Sequence, residues 1–317
     1  MEPLFTREDM FRAANRSFML PENEKQARDK PRASGIASCA RQIAYMMANV
    51  PETNQGAVDS IITTEQGRIM EDLSVELINE LGFQVINRQI TLPADYPLTG
   101  HPDGEIVHNY FYNAHSEPKE MYDLLDANGL KWGFEHKHLG RWAYEAVFKR
   151  GLEAAEPVYL AQAVAYGDAL NWDAVMWVIM AQDASSTRSD ATNNLKAKNP
   201  AVRWAISPDW NPKYQVFAMD LRPYKQTLAK RIRMRAEWFT KYVTEGKNPD
   251  EVIREYDPDT TDKNTFTPRE DGTVERTVGP GFPCSHCEWL DRCVAAGQGK
   301  FGAPELPMNL SNYDDET

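Results

Sequence analysis

An uninterrupted apolar stretch of eight residues, Ala174–Ala181, is the feature that most restricts the fold of this chain. The stretch is too short to cross a bilayer as a helix, and it is typical of a strand that is buried on both faces. A strand of this kind lies inside a sheet whose two faces are both covered. We therefore expect it at the centre of a mixed sheet flanked by helices, in an α/β fold.

The remaining pattern surrounds this strand with further elements. Apolar spacing predicts helices over 38–49, 64–81, 144–150, 157–170 and 224–244. Strands are predicted over 84–92, 98–107, 131–139 and 214–221. In the second helix the expected buried positions are Ile69, Leu73, Leu77 and Leu81. Residues 109–130 are interpreted as a polar insertion and 245–283 as mostly loop.

Composition indicates an ordinary globular protein. The 317 residues are 42% apolar and 26% charged, which excludes disordered, collagen-like and membrane classes. The N-terminal segment MEPLFTREDM is charged and has no apolar core of a secretory signal, so we expect a cytoplasmic protein with reduced thiols. The net charge of −12 argues against nucleic-acid binding by the surface as a whole, but a site needs only a local field.

Two short motifs combine carboxylates with a lysine. Alternation along a strand puts Glu135 and Lys137 on one face, and Asp103 follows a proline in the preceding strand, next to Gly104. Two carboxylates suit Mg²⁺ or Mn²⁺, and a neighbouring lysine can orient a water or stabilise charge on a phosphate. The set is therefore suited to metal-assisted hydrolysis of a phosphodiester. The alternative is a surface ion pair between Lys137 and one of the carboxylates.

Two flanking helices add candidate residues to this set. Glu71, in a Gly-x-x-x-Glu motif of the long second helix, offers a third carboxylate. Gln162 and Tyr166 are four residues apart in the helix after the Glu-x-Lys strand and share one face of it. Taken singly, they would be an amide and a phenol on a half-buried helix face.

The order of these motifs resembles that of the PD-(D/E)xK nuclease superfamily, and more narrowly that of the RecB-like and CRISPR-associated exonucleases. The resemblance covers about residues 36–181 and the C-terminal cysteines. It implies a restriction-endonuclease-like core in which Glu71, Asp103 and Glu135 bind the metal and Lys137 is the catalytic lysine. Gln162 and Tyr166 would position the DNA and the active site. Many RecB-like members have His where this chain has Glu71, a difference that affects metal preference more than activity.

The four cysteines are Cys39, Cys284, Cys287 and Cys293. In a reducing compartment, such a cluster indicates metal binding rather than disulfides. Thiolates at this spacing bind zinc or an iron–sulfur cluster, and a zinc ribbon would usually present two Cys-x₂-Cys pairs where this chain has one. Zinc bound by these cysteines, or with His286, is the alternative to an iron–sulfur cluster.

One distant cysteine followed by three near the C-terminus resembles the iron–sulfur nuclease domains of the AddB type. The resemblance implies a [4Fe–4S] cluster that ties the N-terminal segment to the C-terminus. The segment from Ser34 to Tyr45, which includes Arg41, is similar to the first-cysteine segment of that family. We expect one nuclease domain over 1–317, with a core at about 60–245, and an iron–sulfur subregion built from 36–50 and 280–297.

Basic residues are concentrated in one helix. Arg222–Lys241 contains seven basic residues and a single acidic one, Glu237. Its expected buried stripe is Leu228, Ile232, Phe239 and Val243, which leaves the basic residues on the other face. Such a stretch favours a phosphate track, and its alternative is a solvated helix face. The nucleic-acid-binding residues predicted here and after the Glu-x-Lys strand are Arg141, Lys149, Arg150, Lys230, Arg231 and Arg235.

The resemblance and the site residues together predict an Mg²⁺- or Mn²⁺-dependent DNA exonuclease with a [4Fe–4S] cluster. Phages encode relatives of this type, which serve DNA recombination, repair or processing. The expected partner is single- or double-stranded DNA. Recombination or CRISPR-type proteins are possible further partners, and no membrane association is expected. The alternatives are a non-catalytic DNA-binding or docking subunit and a CRISPR spacer-acquisition nuclease. The presence of Asp103, Glu135 and Lys137 together favours an enzyme.

Overall fold

The computed structural model describes residues 29–53, 58–80, 83–108, 129–150, 152–181, 202–205, 214–255, 264–268, 274–278 and 287–306. Contacts between residues divide the chain into two compact units. The first, here called the sheet unit, consists of Arg32–Ala37, Ile62–Ala236 and Glu305–Thr317. The second, the cysteine unit, consists of Met1–Pro31, Ser38–Ile61 and Glu237–Pro304.

Six strands form the mixed sheet of the sheet unit. They are β1 (Phe83–Ile86), β2 (Gly104–His108), β3 (Trp132–Leu139), β4 (Ala174–Ala181), β5 (Val202–Ala205) and β6 (Tyr214–Asp220). Their order across the sheet is β1-β2-β3-β4-β6-β5, in which β3 and β4 pair in parallel and the other neighbours are antiparallel. The apolar strand β4 is therefore interior, which confirms the expectation from its sequence. The cysteine unit contains a separate hairpin of β7 (Asn264–Pro268) and β8 (Val274–Val278) in the region predicted as mostly loop.

The helices of the described residues are α1 (Ala40–Met47), α2 (Val58–Glu80), α3 (Arg141–Arg150), α4 (Leu152–Ala155), α5 (Pro157–Leu170), α6 (Arg222–Lys225), α7 (Leu228–Thr244) and α8 (Leu290–Ala296). Short 3₁₀ turns cover Ala33–Gly35 and Pro249–Glu251. Within the part of the chain that the structure describes, no helix combines the length and apolar character needed to cross a membrane.

The two faces of the sheet are covered by different helices. On one face Trp132 and Phe134 of β3 pack with Val75 and Ile78 of α2, in a core that continues across β4 and β6. On the other face α5 contacts β3 and β4. Gly133 points to this second face, where an added Cβ would lie 2.0 Å from the Trp172 ring. The alternation of β3 thus separates an apolar core from a second face that carries Glu135 and Lys137, and the predicted α/β layout with flanking helices is confirmed.

The predicted apolar stripe of α2 is correct at Leu77, which is half-buried against the core, but wrong at two other positions. Ile69 and Leu73 are 55% and 46% exposed, whereas Ser74, Val75 and Ile78 are buried. The reason is a polar contact beneath the helix, because the Ser74 hydroxyl lies 2.7 Å from Nδ1 of His136 on β3. Ser74 therefore lies on the buried face of the helix, where the apolar spacing had predicted leucines. Leu81 lies outside the described residues.

Other predicted elements are shorter than expected. The first strand ends at Ile86 because Asn87 and Gln89 have positive φ angles of 50° and 54°. The second begins only at Gly104. The single helix predicted over 224–244 is two helices, since α6 ends at Lys225 and α7 begins at Leu228. The predicted insertion lies almost entirely in 109–128, outside the described residues.

Candidate functional site

Glu135 and Lys137 emerge together from the middle of β3. The Lys137 ammonium donates to Oε2 of Glu135 at 2.8 Å and to the carbonyl oxygen of His136 at 3.0 Å. The Glu135 side chain is completely buried and that of Lys137 is 14% exposed. A surface ion pair, the alternative to a site, is therefore excluded for this pair.

Asp103 reaches the same point from the neighbouring strand. Because β2 pairs with β3 in the register Gly104 to Phe134, the residue before Gly104 comes to lie opposite Glu135. Oδ2 of Asp103 accepts a 2.7 Å hydrogen bond from the backbone N–H of His136. The predicted Asp103, Glu135 and Lys137 are thus brought together around one backbone segment.

Glu71 joins this cluster from α2 through two residues that sequence analysis missed. Its Oε1 accepts hydrogen bonds from Arg88 at 2.9 Å and from the Gln89 amide at 3.2 Å. The same amide nitrogen lies 3.5 Å from Oδ1 of Asp103. Asn87, which precedes them, is a residue type that tolerates positive φ, and it is the sequence signal that could have indicated a turn here.

Burial dominates the electrostatics of the site. It raises the pKa of Glu135 to about 8, an effect that Lys137 opposes and that Asp103 and Glu71 reinforce. Burial also raises the pKa of Asp103, with Lys137 opposing and Glu71 reinforcing. For Lys137 burial acts to lower the pKa, but the carboxylates of Glu135 and Asp103 outweigh it and the pKa is raised. Lys137 therefore stays positively charged, whereas Glu135 and Asp103 take up a proton more readily than exposed carboxyl groups do.

Two aromatic rings complete the surroundings of the lysine. Nζ of Lys137 lies 5.4 Å from the ring centroid of Tyr159 on α5 and 5.6 Å from that of Trp177 on β4. A ring face attracts a cation at such distances, most strongly where water is excluded. These contacts favour the charged lysine and hold its side chain against the sheet. Neither aromatic residue was a sequence candidate.

The two predicted residues of α5 face the same cluster. Gln162 and Tyr166 are buried, and the Gln162 amide lies 3.4 Å from the Tyr166 hydroxyl. That hydroxyl is 3.5 Å from the carbonyl oxygen of His101, just before Asp103. Burial raises the pKa of Tyr166 and the Glu135 carboxylate raises it further, so the phenol keeps its proton. An added Cβ at Gly100 would lie 2.8 Å from the Tyr166 ring, so this close approach requires glycine.

The carboxylates have the chemistry expected of ligands for a hard divalent cation. Oε1 of Glu135 is buried without a hydrogen-bond partner among the described residues, and a buried carboxylate oxygen of this kind is suited to a cation. Among the residues that the structure describes, no group of three or more His, Cys, Asp or Glu side chains is placed to hold a metal ion. One reason is visible at Glu71, whose Oε1 is already occupied by Arg88 and Gln89.

Three of the four cysteines lie in the described part of the cysteine unit. Cys39, Cys287 and Cys293 are half-buried thiols. Burial raises the pKa of Cys287, and charge on Cys293 and Cys39 raises it further. Burial also raises the pKa of Cys293, where Arg41 acts to lower it and Cys39 to raise it. In the described residues these three thiols do not form a group that could hold a metal ion. Cys284 and His286 lie outside the described residues.

Arg41 connects the first-cysteine segment to the C-terminal one. It is buried, and its guanidinium donates to the carbonyl oxygens of Val252 at 2.7 Å and Cys293 at 3.1 Å. Asp250 accepts from Tyr45 at 2.9 Å and pairs with Arg292 at 2.8 Å. The Arg41 guanidinium also lies 3.6 Å from Sγ of Cys293, so this arginine contacts a cysteine sulfur as well as backbone oxygens.

The predicted nucleic-acid-binding residues divide into three groups. Lys230 and Arg231 of α7 are exposed, as a phosphate track requires. Arg235 is buried and donates to the carbonyl oxygen of Ile36 at 3.0 Å, so its predicted role in binding nucleic acid is wrong. The reason is that position 235 belongs to the buried row of α7. Helix α3 includes Arg141, Lys149 and Arg150, whose side chains are not among the described ones. Their role in binding nucleic acid stays a prediction.

Several other cations of the basic stretch are paired with acids. Arg222 pairs with Asp220 at 2.8 Å, Lys225 with Asp173 at 3.3 Å, and Arg233 with Asp168. The local excess of positive charge is therefore smaller than the sequence of the helix suggests.

Comparison with known protein families, with curated proteins and with solved structures finds no match to this chain.

Proposed function

We propose that this protein is a metal-dependent deoxyribonuclease of the PD-(D/E)xK type, an exonuclease similar to the RecB-like enzymes. The observation that carries the proposal is the meeting of Asp103, Glu135 and Lys137 around the backbone of His136, with contacts of 2.7 and 2.8 Å. A mixed sheet flanked by helices agrees with the restriction-endonuclease-like core that the motifs imply. Such a concentration of ionisable groups with raised pKa values is typical of functional sites.

Asp103 and Glu135, with Glu71, would hold an Mg²⁺ or Mn²⁺ ion. A cation bound there supplies a nucleophilic water at neutral pH and withdraws charge from a phosphoryl oxygen. The unpartnered Oε1 of Glu135 supports this assignment, because burial of an unpaired carboxylate oxygen is otherwise costly.

Lys137 provides the positive charge next to the reacting phosphate. Its ammonium donates to Glu135 at 2.8 Å, and it would be available to a phosphate or a water if Glu135 bound a cation. A fixed charge in a site that excludes water stabilises a transition state more than one in bulk solvent. Tyr159 and Trp177 keep it in place, and Tyr166 with Gln162 supports the segment that carries Asp103.

For the cysteine unit we propose a structural [4Fe–4S] cluster bound by Cys39, Cys284, Cys287 and Cys293. The support is the spacing of these cysteines, together with the Arg41 contacts that join the Cys39 segment to Cys293. A cluster between residues so distant in sequence would stabilise the fold by closing a long loop. Zinc at the same cysteines is the alternative.

The direct test is degradation of end-labelled single- and double-stranded DNA in Mn²⁺, in Mg²⁺ and in chelator. We expect metal-dependent release of short products by the wild-type protein and loss of it in Asp103→Asn. Asp95→Asn is the matched control, because Asp95 is an exposed carboxylate in the same connection between β1 and β2. DNA binding without any cleavage in either metal would favour the non-catalytic subunit instead.

A further inference from the structure

The turn that follows β1 is strained in a way that points to function. Asn87 and Gln89 both have positive φ, of 50° and 54°. Such a conformation is unfavourable for a residue other than glycine and persists only where its surroundings hold it. Here the Asn87 amide donates to Oε2 of Glu105 at 2.7 Å, and the Gln89 N–H donates to the carbonyl oxygen of Pro102 at 3.0 Å. The turn is therefore fixed to the segment that carries Asp103.

The turn brings the side chain of Arg88, which lies between Asn87 and Gln89, to the carboxylate cluster. Arg88 donates to Oε1 of Glu71 at 2.9 Å and to Oδ1 of Asp72 at 2.6 Å. Its side chain is 37% exposed, whereas Lys137, the other cation that contacts the cluster, is nearly buried. Arg88 is thus the cation of this cluster that an incoming polyanion meets at the surface.

We propose that Arg88 binds the substrate phosphate, and that Arg88 stays paired with Glu71 until a divalent cation binds that carboxylate. The proposal rests on the proposed function, since it assigns a role at the same site. A guanidinium is always charged and pairs with phosphate through two parallel hydrogen bonds, so it is well suited to this task. The ligand class is the phosphodiester backbone, which such a contact recognises without regard to base sequence.

This arrangement couples the cation to the substrate. Arg88 and a bound cation would compete for Glu71, so Arg88 would leave Glu71 when a cation binds and would weaken cation binding when no DNA is present. With DNA present, the phosphate takes the arginine and the competition ends. Linkage requires that each ligand then strengthens the binding of the other.

The test compares DNA binding by the wild-type protein, Arg88→Ala and Arg88→Lys. The probe is a fluorescently labelled single-stranded oligonucleotide, titrated in chelator and in Ca²⁺, with a gel to verify that it stays intact. In chelator we expect the wild type and Arg88→Ala to bind within about twofold of each other. In Ca²⁺ the wild type gains about tenfold more than Arg88→Ala, the size of one hydrogen-bonded contact to a charged group, because the variant keeps only the contacts of the cation and of Lys137. Arg88→Lys keeps the charge without the two-pronged geometry and gains less than the wild type.

A second readout needs no DNA. Calorimetry should show that Mn²⁺ binds Arg88→Ala more tightly than the wild type, because Glu71 is no longer occupied by the arginine. The matched control in both assays is Lys300→Ala, which removes one exposed cation paired with Glu251 and should behave as the wild type. Thermal unfolding checks that each variant is folded.

Three outcomes separate this inference from the proposed function. An Arg88→Ala protein that gains as much affinity in Ca²⁺ as the wild type, or that binds Mn²⁺ no more tightly, would overturn the inference alone. So would a wild type that cleaves DNA with Mn²⁺ but gains no affinity in Ca²⁺. A wild type that neither cleaves with Mn²⁺ nor gains affinity in Ca²⁺ would overturn the proposed function as well.

Discussion

The Lys137 ammonium lies 2.8 Å from Oε2 of Glu135, and the Glu135 side chain has no exposure to solvent. Burying such a pair removes both groups from water, which is often no more stabilising than an apolar pair of the same size. Stability alone therefore does not account for the pair. The proposed function offers an explanation, because a bound cation and a phosphate would separate the two charges.

The burial of Glu135 predicts an unusual pH dependence of stability in the metal-free protein. Its pKa is raised from 4.5 to about 8, so between these values the folded protein keeps a proton that the unfolded chain loses. The free energy of unfolding should therefore fall as the pH rises through this window, by at most ~1.4 kcal/mol per pH unit. Urea unfolding in chelator measures it.

The control for this measurement is Glu135→Gln, which cannot ionise. Its free energy of unfolding should fall less steeply over the same window, with Asp103 contributing the remaining slope because burial raises the pKa of that carboxyl in the same direction. Parallel curves for the two proteins would show that Glu135 is ionised throughout and would remove this support for a perturbed site.

The cysteine unit predicts a metal centre that depends on each thiol. Protein purified without oxygen should contain iron and sulfide in equal amounts, and Cys39→Ser or Cys293→Ser should lose both together with stability of the cysteine unit. Zinc without sulfide in the wild-type protein would show that the metal is zinc, the alternative to an iron–sulfur cluster. A protein with neither metal, and with unchanged stability in both variants, would contradict a metal centre here.

Exposure separates two kinds of basic residue in α7. Replacing Lys230 and Arg231 by alanine together should weaken DNA binding and reduce the slope of log K against log salt by about 2, or about one for each phosphate contact. Arg235→Ala should instead destabilise the fold by about 2 kcal/mol or more, because it leaves a cavity and an unpaired carbonyl. An unchanged salt slope in the double variant would place the DNA elsewhere.

Much of the sheet could be predicted from sequence because its strands carry strong local signals. The apolar β4 and the alternating β3 lie where their patterns place them, and the alternation alone separates Glu135 and Lys137 from Phe134. The register that brings Asp103 to His136 could not be derived in this way, since pairing depends on contacts between strands. The motif order supplied that relationship by resemblance.

The errors have a common physical origin in tertiary contacts that override local pattern. Ser74 is buried in α2 because it contacts His136, and Leu73 is exposed although leucine favours the core. Arg235 is buried in α7 because a carbonyl oxygen accepts its hydrogen bond. Arg88 was missed because its contact with Glu71 depends on a turn with positive φ, which spacing rules do not address.

The most direct measurement of the central claim is single-turnover cleavage of end-labelled DNA in Mn²⁺ by Lys137→Ala. Loss of a positioned charged group in a catalytic site predicts a rate about 10²–10⁴ lower than the wild type, with the thermal unfolding transition retained. Lys131→Ala is the matched control, because this lysine precedes the same strand and pairs with Glu105 at 2.8 Å, and its rate should be nearly unchanged. Full activity in folded Lys137→Ala would contradict the mechanism proposed for this site.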